Sequence, residues 1–317
     1  MQINDRKVMV TGAGGSIGSE ICRQIKPAPI LFDHSEFGLY TVWHETGGMP
    51  VLGDCKDAVH VHRLITHFNA DVIHAAAYKH VPMLENDNAF VAVRNNIIGT
   101  LNTVRACKGR YVLISTDKAV NPTSVMGWSK RICELIAREY SASVVRFGNV
   151  LGSNGSVIPL FESQLKSGGP ITVTHPEVSR YFMSLPQAIK LVLEVYVINR
   201  PGIYILEMGE PKRIIDLALN IIGDREIPIE FIGLRPGEKL HEELAYVDEK
   251  PVKVTANITR LDHATLPVSY EAERWLARPF ANYEETRDWL QSLAKYGHGP
   301  LPVSPALLAP VAWRRGS

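Results

Sequence analysis

Cysteine is scarce in this chain of 317 residues, and the few present make no pattern. Cys22, Cys55, Cys107 and Cys133 include no Cys-x-x-Cys pair, so zinc-ribbon and disulfide frameworks are excluded. The expectation is reduced structural thiols in a cytoplasmic protein. Long apolar runs are also missing. The stretch 189–198 carries Lys190 and Glu194 and falls short of the ~20 residues that span a bilayer, so no membrane insertion is expected. The first residues lead directly into a strand, without the charged and apolar segments of a signal peptide. Charge of one sign is lacking: the formal net charge of +1 excludes a general pull on nucleic acid or anionic membrane. His60, His62 and His67 lie on a polar helical stretch and His80 in a turn, without ligand spacing, so no metal is expected.

The composition that remains, 45% hydrophobic and 21% charged, is that of a globular chain with a substantial core. Short β-branched runs at 8–11, 30–32, 50–52, 72–75, 111–115 and 143–147 alternate with helical patterns such as 88–107 and 125–140. That alternation predicts an α/β fold: a Rossmann-type doubly wound parallel sheet with helices on both faces. After residue 150, Gly, Pro and Ser punctuate the chain, with helices expected over 187–198 and 214–222. Residues 1–150 are read as a dinucleotide-binding domain. Residues 151–296 are read as a smaller, interleaved C-terminal substrate lobe, and 297–317, rich in Pro and Ala, as a loosely ordered tail.

A glycine-rich turn, Thr11-Gly12-Ala13-Gly14-Gly15-Ser16-Ile17-Gly18, follows the first strand and opens a helix. In that context Gly12 permits the tight turn, Gly15 lets backbone approach a pyrophosphate, and Gly18 lets the helix pack on the sheet. The helix N-terminus then offers N–H groups to phosphate. Asp33 ends the second strand, where a carboxylate accepts hydrogen bonds from a ribose 2′-hydroxyl. No Arg follows in His34-Ser35, which favours NAD over NADP. Asp54, after the third strand, is placed to hold an adenine amino group.

Three further blocks carry chemistry: Ala77-Tyr78-Lys79-His80-Val81-Pro82; Ser115-Thr116-Asp117-Lys118 with Met126-Gly127-Trp128-Ser129-Lys130; and Arg235-Pro236-Gly237-Glu238-Lys239. In this order they resemble the UDP-N-acetylglucosamine 4,6-dehydratase family of the extended short-chain dehydrogenase/reductases, over residues 3 to 250. One position departs from the superfamily: Met126 stands where its Tyr-x-x-x-Lys pair has tyrosine. That substitution is similar to the long, membrane-anchored branch of the family.

The resemblance implies a reaction. The sugar is oxidised at C4, the C5 proton and C6 hydroxyl leave as water, and hydride returns to C6. Asp117 is implied as acid and Lys118 as base, two groups titrating as a unit. Lys130, one helical turn after Met126, holds ribose hydroxyls and favours a C4 alkoxide. A thioether cannot take the C4 hydroxyl proton, so Thr116, with water or Lys130, is the expected route, and Asp117 the alternative. The resemblance extends the cofactor site to Ser16, Ile17, His34, Ser35, Ala75, Ala76, Ala77, Lys79, Asn96, Ser115 and Val150. It assigns Lys79, Asn149, Asn154, Gly155, Ser156, Val157, Arg235 and Glu238 to a UDP-sugar. Arg180 reads equally as a phosphate ligand and as a structural ion pair. The competing activities are a nucleotide-sugar 4-epimerase, a 5,6-dehydratase and a non-catalytic binding protein. Helices 88–107 and 125–140 are expected to pair across a two-fold in a homodimer.

Overall fold

The computed structural model describes residues 6–85, 87–152, 156–262 and 283–296. Six parallel strands run β1 (Val8–Thr11), β2 (Ile30–Asp33), β3 (Met49–Leu52), β4 (Asp71–His74), β5 (Tyr111–Thr116) and β6 (Ser143–Phe147). Their spatial order is 3-2-1-4-5-6, so the sheet winds both ways from the β1–β4 junction. In such sheets the crevice outside the carboxyl ends, at that reversal, is where ligands bind.

The inner strands are apolar because both their faces are covered. β1, β2 and β4 are buried along their whole length. On one face Ile65, Ile97, Leu101, Ile132 and Leu290 pack against Met9, Val72 and Leu113. On the other, Ile21, Leu39, Ile189 and Val192 pack against Val10, Ile73 and Val145.

Strands beyond residue 150 complete the sheet. Gly202–Leu206 pairs parallel with β6, and Ile258–Asp262 and Lys250–Thr255 add two antiparallel strands at the edge. A separate small core of Phe161, Ile171, Val173, Val178, Ile214 and Ala218 lies between helices Val157–Lys166 and Ile214–Ile222. Among the described helices none is long and apolar enough to cross a membrane.

Two expectations change. The segment 88–107 is not one regular helix: Ala89–Ala92 passes through a π-helical stretch, Val93–Ile98, into Gly99–Ala106. The wider turn brings buried Asn96 against a neighbouring loop, where it accepts from Tyr78 N (2.9 Å) and donates to Tyr78 O (3.1 Å). Of the two helices expected to meet a second copy, 125–140 is covered within the chain, while Phe90 and Val91 of the other stay exposed. Every residue from Val125 to Ala137 is buried. Helix Tyr283–Tyr296 packs over that helix and over Ala89–Ala92, with Trp289, Leu290 and Leu293 in the core. The tail assigned to 297–317 lies outside the described residues.

Candidate active site

The glycine turn is built by backbone contact. Gly12 has φ +71°, and a Cβ there would meet the Ala75–Ala76 backbone at 2.8–2.9 Å. At Gly18 a Cβ would fall 1.9 Å from Gly12 O. Gly14, not singled out in the sequence, lies against Gly38 of helix Glu36–Thr46, where an added Cβ would sit 2.8 Å from backbone. Gly15 has more room, and it caps helix α1 (Ser16–Gln24) without offering a side chain to the first-turn N–H groups. Those groups face a cavity of about 610 Å³ lined there by Gly15, Ser16, Ile17 and Gly18. A cradle with no room for a side chain and an uncovered helix N-terminus fits a dinucleotide diphosphate.

The Asp33 carboxylate is buried and accepts from Gly14 N and Ser35 N, both at 2.8 Å, so it also ties the two turns together. Asp33, His34, Asp54, Gly12 and Ala76 line a small recess beside the main cavity. Burial pushes the Asp54 carboxyl up, but hydrogen bonds from the Lys56 backbone and ammonium outweigh it and hold it below its usual value. Ala75 and Ala77 line the main cavity, as does Lys79, whose ammonium burial pushes down. Asn96 lies behind this wall, its amide also donating to Ser129 Oγ (3.0 Å). Ser35 is set back from the cavity too, its hydroxyl capping the helix at Gly38 N.

On the opposite side, β5 ends in Ser115 and Thr116, and both line the cavity. Ser115 Oγ donates to the buried Glu134 carboxylate (2.7 Å). Thr116 Oγ1 donates to Asp117 Oδ1 (2.8 Å). Asp117 is fully buried behind the wall, and its Oδ2 has no hydrogen-bond partner. Lys118, at the wall, donates from Nζ to Asp117 Oδ1 (3.0 Å) and Asn149 Oδ1 (3.2 Å). It also stands 3.4 Å from Glu242 Oε1. Burial alone would lower its pKa, but Asp117 and Glu242 outweigh that and hold it above the usual lysine value. Between these two carboxylates Lys118 is held as a cation.

Met126 and Lys130 reach the cavity from one face of helix Val125–Glu139. Lys130 Nζ donates to Ile114 O (2.6 Å), and burial holds its pKa below the usual lysine value. The nearby His74 is pushed down to about 3 by burial and by Lys130, so it is a neutral partner of Thr11 Oγ1 (2.7 Å).

Asn149, Val150, Ser156 and Val157 line the far end of the cavity. Ser156 caps helix Val157–Lys166 with a buried hydroxyl that has no partner. Asn154 and Gly155 lie outside the described residues. Arg235 is exposed at the rim and Glu238 lines the wall, but the two side chains do not pair directly. Glu238 accepts from Arg235 N (3.2 Å), Thr174 Oγ1 (3.1 Å) and Arg180 Nη2 (3.1 Å). Arg180, buried in the cavity wall, also donates to the Ser179, Leu240 and Lys239 carbonyls and forms with Glu238 the ion pair that was one of its two readings. Sequence reading missed Glu242, a buried carboxylate in the wall. Its only signal was its place three residues after Lys239 in the third block. Among the described residues no group of three His, Cys, Asp or Glu side chains is disposed to hold a metal.

Residues 8–261 match the family model described as polysaccharide biosynthesis protein. The chain belongs to this family. It is 45% identical over 295 residues to the capsular polysaccharide biosynthesis protein CapD of Staphylococcus aureus, covering 83% of this chain and 49% of CapD. It thus spans about half the length of that relative. It is 33% identical over 267 residues to a UDP-glucose 4-epimerase of Rickettsia canadensis, covering 76% of this chain and 77% of the epimerase. Among solved structures, Pen from Bacillus thuringiensis superposes with a TM-score of 0.77 at 33% identity, covering 83% of this chain and 88% of Pen. The family fold here is the α/β Rossmann type of the extended short-chain dehydrogenase/reductases.

Proposed function

We propose that the chain is an NAD-dependent nucleotide-sugar 4,6-dehydratase of the cytoplasm, a lyase that converts UDP-N-acetylglucosamine or a close UDP-sugar to its 4-keto-6-deoxy form. The observation that carries the reading is the meeting of Thr116, Asp117 and Lys118 with Lys130 and the glycine cradle around one cavity. An epimerase has no use for an acid and a base at C5 and C6, whereas a dehydratase needs both.

NAD, when bound, supplies the hydride acceptor for C4 and the hydride donor for C6. The uncapped N-terminus of α1 holds its diphosphate and Asp33 its adenosine ribose. Lys130, buried and fixed on the Ile114 carbonyl, presents an ammonium that favours oxyanion character at the C4 oxygen. Met126 accepts no proton. The hydrogen bond from Thr116 to Asp117 offers the route instead: Thr116 Oγ1 receives the C4 hydroxyl proton as its own passes to Asp117 Oδ1. Asp117 then holds the proton that the leaving C6 hydroxyl requires and returns it through Thr116 Oγ1, the member of the pair that lines the cavity. Lys118, which lines the cavity, first gives up its own proton to solvent there and, as the amine, takes the C5 proton. Asn149 and, from the segment 151–296, Ser156 and Arg235 supply the nucleotide-sugar side, around the sugar and diphosphate.

The test is incubation of the full chain with NAD and UDP-N-acetylglucosamine, read by mass spectrometry and proton NMR. Loss of water with a new C6 methyl signal supports the proposal. Unchanged mass with inversion at C4 would establish the 4-epimerase reading, which the Rickettsia relative favours. Water loss without a methyl would indicate 5,6-elimination, and bound nucleotide without turnover a binding protein.

A further inference from the structure

Two carboxylates, not one, bracket the Lys118 ammonium. Asp117 Oδ1 is 3.0 Å from Nζ on one side and Glu242 Oε1 is 3.4 Å on the other. The Glu242 side chain is 3% exposed. Its second oxygen, Oε2, accepts no hydrogen bond, and Lys239 Nζ stands 3.9 Å away. Arg180 Nε lies 3.8 Å from Oε1, held there by its own bonds to backbone. The charged groups facing Glu242 are therefore Lys118 from the short 3-10 turn Asp117–Ala119, Arg180 from the strand Ser179–Arg180, and Lys239 from its own segment. A buried carboxylate is stable only beside positive charge. Of these three cations Lys118 stands closest to Glu242, and it is also paired with Asp117.

We propose that Glu242 is a positioning residue that acts through Lys118: it is the permanent counter-charge for the ammonium formed when Lys118 takes a proton, leaving Asp117 free to be the proton donor. This inference rests on the dehydratase reading for its catalytic meaning, but the electrostatic pairing stands without it. In the elimination, the C5–H bond breaks and its proton goes to neutral Lys118. The electron pair forms the C5–C6 double bond, the C6–O bond breaks, and the hydroxyl departs as water with the Asp117 proton. The cluster begins as Asp117 acid, Lys118 amine and Glu242 carboxylate, and ends as carboxylate, ammonium and carboxylate. Its net charge is –1 throughout. Without Glu242 the single Asp117 carboxylate would have to serve both as spent acid and as the only counter-ion.

The test is direct titration of Lys118 in the full chain. Trace acylation with acetic anhydride across a pH series, read by peptide mass spectrometry, gives the midpoint for this lysine in wild type, Glu242→Gln and Glu242→Asp. Loss of an adjacent opposite charge lowers a lysine pKa by about one unit or more. Glu242→Gln is therefore expected to move the midpoint down by at least one unit, and Glu242→Asp to keep it within half a unit of wild type. A Glu242→Gln midpoint equal to wild type overturns the inference, as does a Glu242→Asp midpoint that falls as far as that of Glu242→Gln. Turnover with UDP-N-acetylglucosamine is followed separately. Absence of water loss in the wild type would defeat the dehydratase reading while leaving the titration result to decide the pairing.

Discussion

Arg146 is fully buried, and its guanidinium joins two carboxylates that are themselves fully buried. It donates to Glu134 at 2.8 and 2.7 Å, to Glu249 at 2.6 and 3.1 Å, and to Leu244 O at 3.3 Å. Arg146→Met removes these bonds and leaves the carboxylates without their main counter-charge. Breaking a buried pair costs about 3–5 kcal/mol. Glu134 would keep Ser115 and Arg131, and Glu249 the Tyr246 N–H, so the middle of that range, about 4 kcal/mol, is expected. For a chain of this size that is a fall of about 6 °C in Tm. The loss should also depend on pH. Burial pushes Glu134 up, but Arg146 outweighs it and holds the carboxyl below its usual value. In wild type its stabilisation is thus present above the unfolded value of about 4.3 and disappears only as pH falls through the lower folded value. In the variant, burial prevails at Glu134 and its carboxylate takes up a proton at higher pH, relieving the buried charge. Urea unfolding followed by tryptophan fluorescence should show a gap between the two proteins that narrows from pH 7.5 to 5.5. A gap below about 1 kcal/mol at pH 7.5, or one that widens on acidification, would refute this account of the cluster.

Other outcomes follow from the same geometry. Gly18→Ala forces a methyl into the Gly12 carbonyl, so stability should fall by about 1–3 kcal/mol and NAD affinity by calorimetry at least about tenfold. Thr116→Val should slow reduction of NAD during a single turnover by about 10²-fold or more, the usual worth of a positioned proton acceptor. Adding Met126→Tyr should restore part of that rate, and an unimpaired Thr116→Val would remove Thr116 from the route. Burial pushes the Cys22 and Cys55 thiols up to about 12 and Cys107 to about 11, so thiolate is scarce at pH 8. Ellman's reagent should label the folded protein slowly and the urea-unfolded protein at all four cysteines; rapid labelling of the folded chain would contradict the burial.

The parallel half of the sheet was readable because inner strands covered on both faces must be apolar throughout. Val8-Met9-Val10-Thr11 and Ser143–Phe147 have the expected bounds. The last strands were not readable. Lys250–Thr255 carries Pro251 and two lysines and is exposed along most of its length, as an outer strand tends to be, and its sequence looks like a loop. Gly202–Leu206 is short and, although Pro201-Gly202 marks the turn before it, nothing in its few residues says which strand it joins. The glycine cradle and the Asp117–Lys118 neighbours were visible because they are local. Glu242 was not, since a contact across more than a hundred residues has no local pattern. The π-helical turn at Val93–Ile98 was hidden for a related reason: Asn96 bonds the Tyr78 backbone, a partner that the helix's own periodicity does not contain.

The enclosure of helix Val125–Glu139 divides the catalytic machinery into a fixed part and a yielding part. Shifting Met126 or Lys130 would drag a thirteen-residue buried run away from Trp289, Leu290 and the sheet, exposing apolar surface on every side at once. Leu234 and Arg235 across the cavity already face solvent, so moving them uncovers little. On the proposed function, a sugar entering this site meets an anvil on the Lys130 side, and whatever adjustment grips it comes from the Arg235 side.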